Sequence, residues 1–271
     1  MFSFQQGFAQ PTEPVTEQGF MALVRASRTA QLIDGFRQSG NAELKRKLPA
    51  FIFQAMFDVT TSKSGKQGAW RKQAATRLTG LVVLDIDHVE NPHELINGRL
   101  KIENGRLVAR EAWAAANNYQ LSAINSQLER ILLIYITPSG KGIKVVFKAR
   151  EEWGNLIDNQ YEMAQLLGVD AKVDGGCKDA ARASFIPKAD DVKYLNEELF
   201  TYSNTAYDEK FGGLYRSKPA KTGPTQKKWK DYEKQLREAE KAAKAKGGDS
   251  VTKAHWTAIA KQIGDALNAD K

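Results

Sequence analysis

Two periods of apolar and polar positions run along the chain, and they separate its elements. The densest apolar run, Leu81-Val82-Val83-Leu84, leads into Asp85-Ile86-Asp87. A short continuous run of this kind predicts a buried strand. Ile131–Ile136 and Ile143–Phe147 are two more. Only a tight Gly-containing turn divides these last two, so they are expected to pair antiparallel. Phe51–Phe57 and Ala183–Ile186 read as further strands, and Asn104-Gly105 between apolar residues predicts a hairpin over 100–108. Helical spacing governs the rest. Phe20, Leu23 and Val24, then Leu32, Ile33 and Phe36, predict two short helices broken near Ser27, with Arg25 and Arg28 on the exposed face. Asn41–Lys47 reads as a capped turn of helix stopped by Pro49. Asn91-Pro92 opens a helix, Glu111–Leu128 is helical, and Trp153–Leu167 is a helix closed by Gly168.

Met1–Pro14 reads as a loose leader and Thr60–Gly68 as a mobile loop. After the linker Pro219–Pro224, Trp229, Tyr232, Leu236, Ala239 and Ala243 recur at helical intervals with lysines on the other face. The expectation is an α+β chain: a mostly antiparallel sheet with flanking helices, plus a basic helical C-terminal tail. Its parts are a helical segment over 1–48, a core over 49–212, and a linker and tail over 213–271.

Composition narrows the function classes. With 271 residues, 42% of them hydrophobic, the chain is long enough to bury a full core. No apolar run approaches the ~20 residues of a membrane span. The N-terminus lacks a signal peptide's basic start and apolar core, so no membrane partner and a cytoplasmic location are expected. The single cysteine, Cys177, excludes an internal disulfide framework and a cysteine-rich zinc site. The net charge of +8 is unevenly placed. Residues 216–248 hold eleven Lys and Arg against four Asp and Glu, or +7. A basic appendage on a near-neutral body points to a polyanion, nucleic acid above all, with Lys227, Lys228, Lys230 and Lys234 as contacts. Lysine-faced helices that merely dock on their own domain are equally common.

The chemistry is concentrated in two stretches. In a strand, residues i and i+2 share a face, so Asp85 and Asp87 project together. Adjacent carboxylates repel unless a cation lies between them, and oxygen ligands suit Mg²⁺ or Mn²⁺. A lone Asp-x-Asp is more often just a wet strand end. The stretch Thr137-Pro138-Ser139-Gly140-Lys141-Gly142-Ile143-Lys144 shifts that balance. A small turn there would present backbone N–H groups to a phosphate, with Lys141 and Lys144 adding charge. Lys144 alternates with Ile143 and Val145, which places it on the sheet's wet side. The turn is not a Walker A loop: it lacks the spaced first glycine and the Ser or Thr after the lysine, and it leads into a strand. A haloacid-dehalogenase-like phosphatase, with Thr137, Lys188, Asp190 and Asp191 in its roles, is the weaker alternative because it needs a parallel crossover.

Taken in order, Lys45–Ala50, Thr79-Gly80, Leu84–Asp87, Pro138–Lys144, Asp174, Lys178-Asp179 and Arg182 resemble the VirE N-terminal domain family. That family occurs mainly in Bacteroidetes and their mobile elements, and is related to the archaeo-eukaryotic primase superfamily of primase-polymerases. The resemblance covers roughly 17–200 and omits the tail. It implies a nucleotidyltransferase acting in DNA replication of a chromosome-borne or mobile element. Asp85 and Asp87 match the metal-binding acids, and Asp174 is the best match for the third, with Asp170 and Asp179 as alternatives. Ser139, Gly140, Lys141, Gly142 and Lys144 lie where primases carry a phosphate-contacting Ser-x-His, with Lys144 in the histidine's place. Arg182 would meet phosphate or ribose. The implied partners are nucleoside triphosphates, a single-stranded DNA or RNA template and a separate helicase-like ATPase. The non-enzyme alternative is a nucleic-acid-binding accessory with the same fold and no chemistry.

Overall fold

A computed structural model describes residues 1–169, 173 and 179–216. These belong to one compact unit, Met1–Ala220. A second unit, Lys221–Lys271, lies outside the described residues, and with it the expected basic helix and its lysines. Among the described residues the fold is α+β and every strand pairing is antiparallel.

The central sheet has four strands in the order Val192–Leu195, Ile131–Ile136, Ile143–Lys148, Leu81–Ile86. Its inner strands are apolar on both faces because both faces are covered. On one side Val82, Leu84, Ile86, Ile134, Val145 and Phe147 pack against helices Pro92–Arg99, Leu121–Leu128 and Leu156–Leu167. On the other, Leu81, Val83, Leu133, Tyr135 and Val146 meet helices Glu17–Arg25 and Ser27–Ser39 and a second sheet. That sheet runs Ser184–Phe185, Ala50–Ile52, Ser3–Gln5, Glu13–Pro14.

Helix ends follow their local chemistry. Thr16, Asn41, Asn91 and Asn155 each accept a backbone N–H of the first turn, and Asn155 with Asp158 forms a capping box. Gly168 ends its helix in the left-handed region, at φ 62°. The predicted hairpin forms between Leu100–Glu103 and Arg106–Ala109, with Asn104 and Gly105 both at positive φ.

Several expectations are corrected. The N-terminal residues are no loose leader: Ser3–Gln5 pairs with Ala50–Ile52, and Phe2 is fully buried. Its ring lies 4.7 Å from Phe53 and 5.6 Å from Phe51, joining an aromatic cluster with Phe20 and Phe200. Tertiary burial outweighs the polar, glycine-bearing local sequence there. The 60–68 loop contains a ribbon of Thr60–Thr61 with Gln67–Gly68. Phe51–Phe57 is two strands, Ala50–Ile52 and Ala55–Phe57, in different sheets. Glu111–Leu128 is two helices, Glu111–Ala116 and Leu121–Leu128, parted where Asn118 takes positive φ.

If the N-terminal strand is part of the core, Phe2→Ala should cost about 3–5 kcal/mol of unfolding free energy. Urea denaturation measures it, and a loss near zero would restore the loose-leader reading.

Candidate functional site

The geometry of the site follows from one register. Along the Leu81–Ile86 strand and its neighbour, Ile86 lies opposite Ile143 and Asp85 opposite Lys144. Lys144 in turn lies opposite Tyr135. One step on, the Thr137 N–H donates to the Gly142 carbonyl at 2.9 Å. Two rows therefore cross the same sheet face, Asp85–Lys144–Tyr135 and Asp87–Gly142–Thr137.

Asp85 and Lys144 are both about 94% buried, and the Lys144 ammonium donates to Asp85 Oδ2. This corrects the expectation that Lys144 occupies a wet face. The alternation is as expected, but helices and the second sheet cover that face too, so the cation has to be paired. Tyr135, fully buried, closes the row and its hydroxyl donates to the Phe185 carbonyl at 3.4 Å.

Asp87 lies just past the strand end and is half-buried. A Cβ at Gly142 would stand 2.9 Å from Thr137 Oγ1 and 3.0 Å from both Asp87 Oδ1 and the Ile86 carbonyl. The bare glycine is what lets a carboxylate and a hydroxyl approach from either side. Thr137 Oγ1 is 2.9 Å from Ser139 Oγ, so the polar row continues into the turn.

Part of the turn's backbone bonds within the turn itself. The Gly140 N–H donates to the Thr137 carbonyl at 2.8 Å, and the Lys141 N–H to Ser139 Oγ at 3.3 Å. These two N–H groups are engaged inside the turn, and the Lys141 ammonium is exposed at its tip. The Lys141 carbonyl accepts from Val89 N–H at 2.9 Å, tying the turn to the segment after Asp87.

Arg37 was missed by the sequence reading. From helix Ser27–Ser39 it donates to the Pro138 and Thr137 carbonyls, each at 3.1 Å, and bidentately to Asp191 at 2.7 and 3.3 Å. Burial pushes the Asp191 carboxyl up from its ordinary range, and Arg37 pulls it back. Asp191, the phosphatase reading's acid, is thus an anchor for Arg37. Lys188 pairs with Asp34 of the same helix. The phosphatase reading also needs a crossover after Thr137, where an antiparallel hairpin stands.

Of the third-acid candidates, Asp179 alone is among the described residues. Asp170, Asp174, Cys177 and Lys178 lie outside the described residues. Val173 makes an antiparallel bridge to Ile86. Asp179 Oδ1 accepts from the Ala181 N–H at 2.9 Å, a local cap on an exposed turn. Arg182 is exposed in that same turn, its N–H donating to the Asp179 carbonyl at 3.0 Å. Buried Gln54, also unforeseen, links the turn to the central strand: it accepts from Val83 N–H at 2.9 Å and donates to the Asp179 carbonyl at 3.1 Å.

Among the described residues no three His, Cys, Asp or Glu side chains gather as a metal set. Two carboxylates on one face still fit Mg²⁺ or Mn²⁺, which protein sites often hold by one or two carboxylates with the substrate's phosphates supplying the rest. Such an ion would share Asp85 with the Lys144 ammonium. Comparison with family models, curated proteins and solved structures finds no match.

The ion pair yields a thermodynamic test. Lys144→Met, which strands Asp85 in the interior, should cost about 3–5 kcal/mol. Adding Asp85→Leu should recover most of that loss. Chemical denaturation of the two single variants and the double variant measures the coupling. Additive losses would show that the pair does not interact.

Proposed function

We propose that the chain is a metal-dependent nucleotidyltransferase of the primase-polymerase type, a member of the VirE N-terminal domain group acting in DNA replication. The observation that carries this reading is the shared face: Asp85 and Asp87 lie side by side beside the Thr137–Gly142 turn. The partners proposed are nucleoside triphosphates, a single-stranded DNA or RNA template and a separate helicase-like ATPase, in the cytoplasm. No helix among the described residues is long and apolar enough to cross a membrane.

In this reading Asp85 and Asp87 hold Mg²⁺ or Mn²⁺, with Asp174 as the third acid. The metal, when bound, supplies charge to the triphosphate and activates a 3′-hydroxyl. Lys144 fixes the Asp85 carboxylate in one orientation. Lys141 meets the outer phosphates from the exposed tip, and Arg37 holds the turn that carries it. Ser139 and Thr137 offer hydroxyls beside Asp87, and Arg182 serves phosphate or ribose.

A second reading has its own support. The Lys144 ammonium already neutralises Asp85 without any metal. That favours an accessory that keeps the fold, binds nucleic acid and lacks chemistry.

Asp87→Asn separates the two. It is the cleaner probe because Asp85→Asn would also strand a buried ammonium. Incorporation of labelled nucleotide on primed and unprimed single-stranded templates, with Mg²⁺ or Mn²⁺, should fall about 10²-fold or more in the variant. Its melting temperature should not change. Wild-type protein inert under all these conditions would establish the accessory.

The tail is tested by salt. Truncation after Lys218 removes Lys227, Lys228, Lys230 and Lys234. At a slope of ~0.7 per phosphate contact on single strands, four lost contacts should flatten log K against log salt by about 3 units. Equal slopes would assign the tail to a protein partner or to its own domain.

A further inference from the structure

A second group of cations lies at the other end of the central sheet. Lys148 follows Lys144 by four residues on the same strand, so it stands roughly 13 Å further along. Apolar core separates the two: Val146 lies between them on that face, fully buried. Around Lys148 opens a cleft of about 570 Å³, which Arg130, Arg150 and Lys210 line together with Tyr202 and Asn204. We propose that this cleft is a phosphate-binding site, with Arg130 and Arg150 as its principal ligands, taking the phosphates of a nucleic-acid strand or of a nucleotide.

Arg130 carries the argument. It is partly buried, and its Nη1 donates a 3.5 Å hydrogen bond to the Ala149 carbonyl. No carboxylate lies within ion-pair distance of it among the described residues. Burial lowers its proton affinity from the usual arginine range, and the Arg150 charge lowers it further. Two guanidinium groups are thus held close enough to repel, and the exposed Glu152 carboxylate, which pairs with Arg150 at 3.4 Å and also acts on Arg130, offsets only part of that repulsion. Such a pair gains most from a ligand with several anionic oxygens, which guanidinium forks hold bidentately.

The other cations have carboxylate partners, but mostly weak ones at the rim. Arg150 reaches Glu152 at 3.4 Å, and that side chain is 73% exposed. Lys210 reaches Glu151 at 3.5 Å. Lys148 is held better, by both oxygens of Glu198 at 2.9 and 3.0 Å. An entering phosphate would therefore meet Arg130 without breaking an ion pair of its own, and would compete with Glu152 and the other exposed carboxylates, whose pairs contribute little.

The arginines are also held in place. The Lys148 N–H donates to the Arg130 carbonyl at 2.9 Å. Fully buried Asn159 binds both the N–H and the carbonyl of Arg150, at 2.7 and 3.0 Å. Arg150 Nη1 donates to Gln127 Oε1 at 3.2 Å, and its guanidinium stacks 5.3 Å from the Trp153 ring centre. Preorganised donors lose little freedom on binding. The volume suits a nucleotide-sized ligand, and the Tyr202 ring beside the cations provides a face for a base.

The test is a footprint on the full-length wild-type protein in EDTA, so that the metal-dependent reading does not enter. Phenylglyoxal modification of Arg130 and Arg150 is followed by mass spectrometry, alone and with inorganic triphosphate, a nucleoside triphosphate or a short single-stranded oligonucleotide. We expect at least fivefold protection of both arginines, with exposed Arg28 as the reference. Protection by the oligonucleotide alone assigns the site to a strand, and protection by triphosphates alone assigns it to a nucleotide. In parallel, Arg130→Gln and Arg150→Gln should each weaken binding of the protecting ligand at least tenfold, while Arg130→Lys recovers part of it. No protection by any probe, or unchanged affinity in both glutamine variants, overturns the proposal. Asp87→Asn should leave both readouts unchanged, so failure at the carboxylate end and failure here are distinguishable.

Discussion

The antiparallel register between Leu81–Ile86 and Ile143–Lys148 is the constraint on which the rest of the molecule depends. Side chains alternate along a strand, so a slip of one residue would turn Asp85 into the apolar helical layer and bring Leu84 to Lys144. That layer is built of apolar side chains such as Leu84, Ile86, Ile134 and Phe147. The observed register instead puts the one buried carboxylate of the strand against the one buried lysine of its partner. The pair is thus a registration device, as well as a candidate piece of chemistry. The cost of desolvating two charges makes it a poor source of net stability, but every mispaired alternative is worse.

Around this register a few polar side chains tie distant segments together. Arg37 joins the helix Ser27–Ser39 to the Thr137–Gly140 turn and to Asp191, across more than a hundred residues. Gln54 joins the second sheet's connection to Val83 and to the turn at Asp179. Both act on backbone carbonyls or N–H groups of segments far along the chain, and so hold those segments in place. The turn beside Asp87 owes its shape to Arg37 from outside and to the Thr137 and Ser139 hydroxyls from within.

The two ends of the central sheet have opposite character. At one, carboxylates and hydroxyls stand over a bare glycine; at the other, arginines converge on a cleft. The strands between them are apolar on both faces, so the ends do not share charges.

Much of this was legible from local pattern. The apolar run at 81–84, the hairpin at Asn104-Gly105, the break near Ser27 and the stop at Gly168 depend on backbone propensity and nearest neighbours, which sequence encodes directly. The shared face of Asp85 and Asp87 followed from strand alternation alone. What alternation could not reveal is whether that face is wet, and Lys144 proved buried because the N-terminal residues and two helices cover it. Phe2, Arg37, Gln54 and Arg130 carry no local signature, since each acts on residues far along the chain. The sequence determined which side chains point together; only the tertiary structure decided what lies over them, because burial and ion pairing depend on segments that meet in space and not in order.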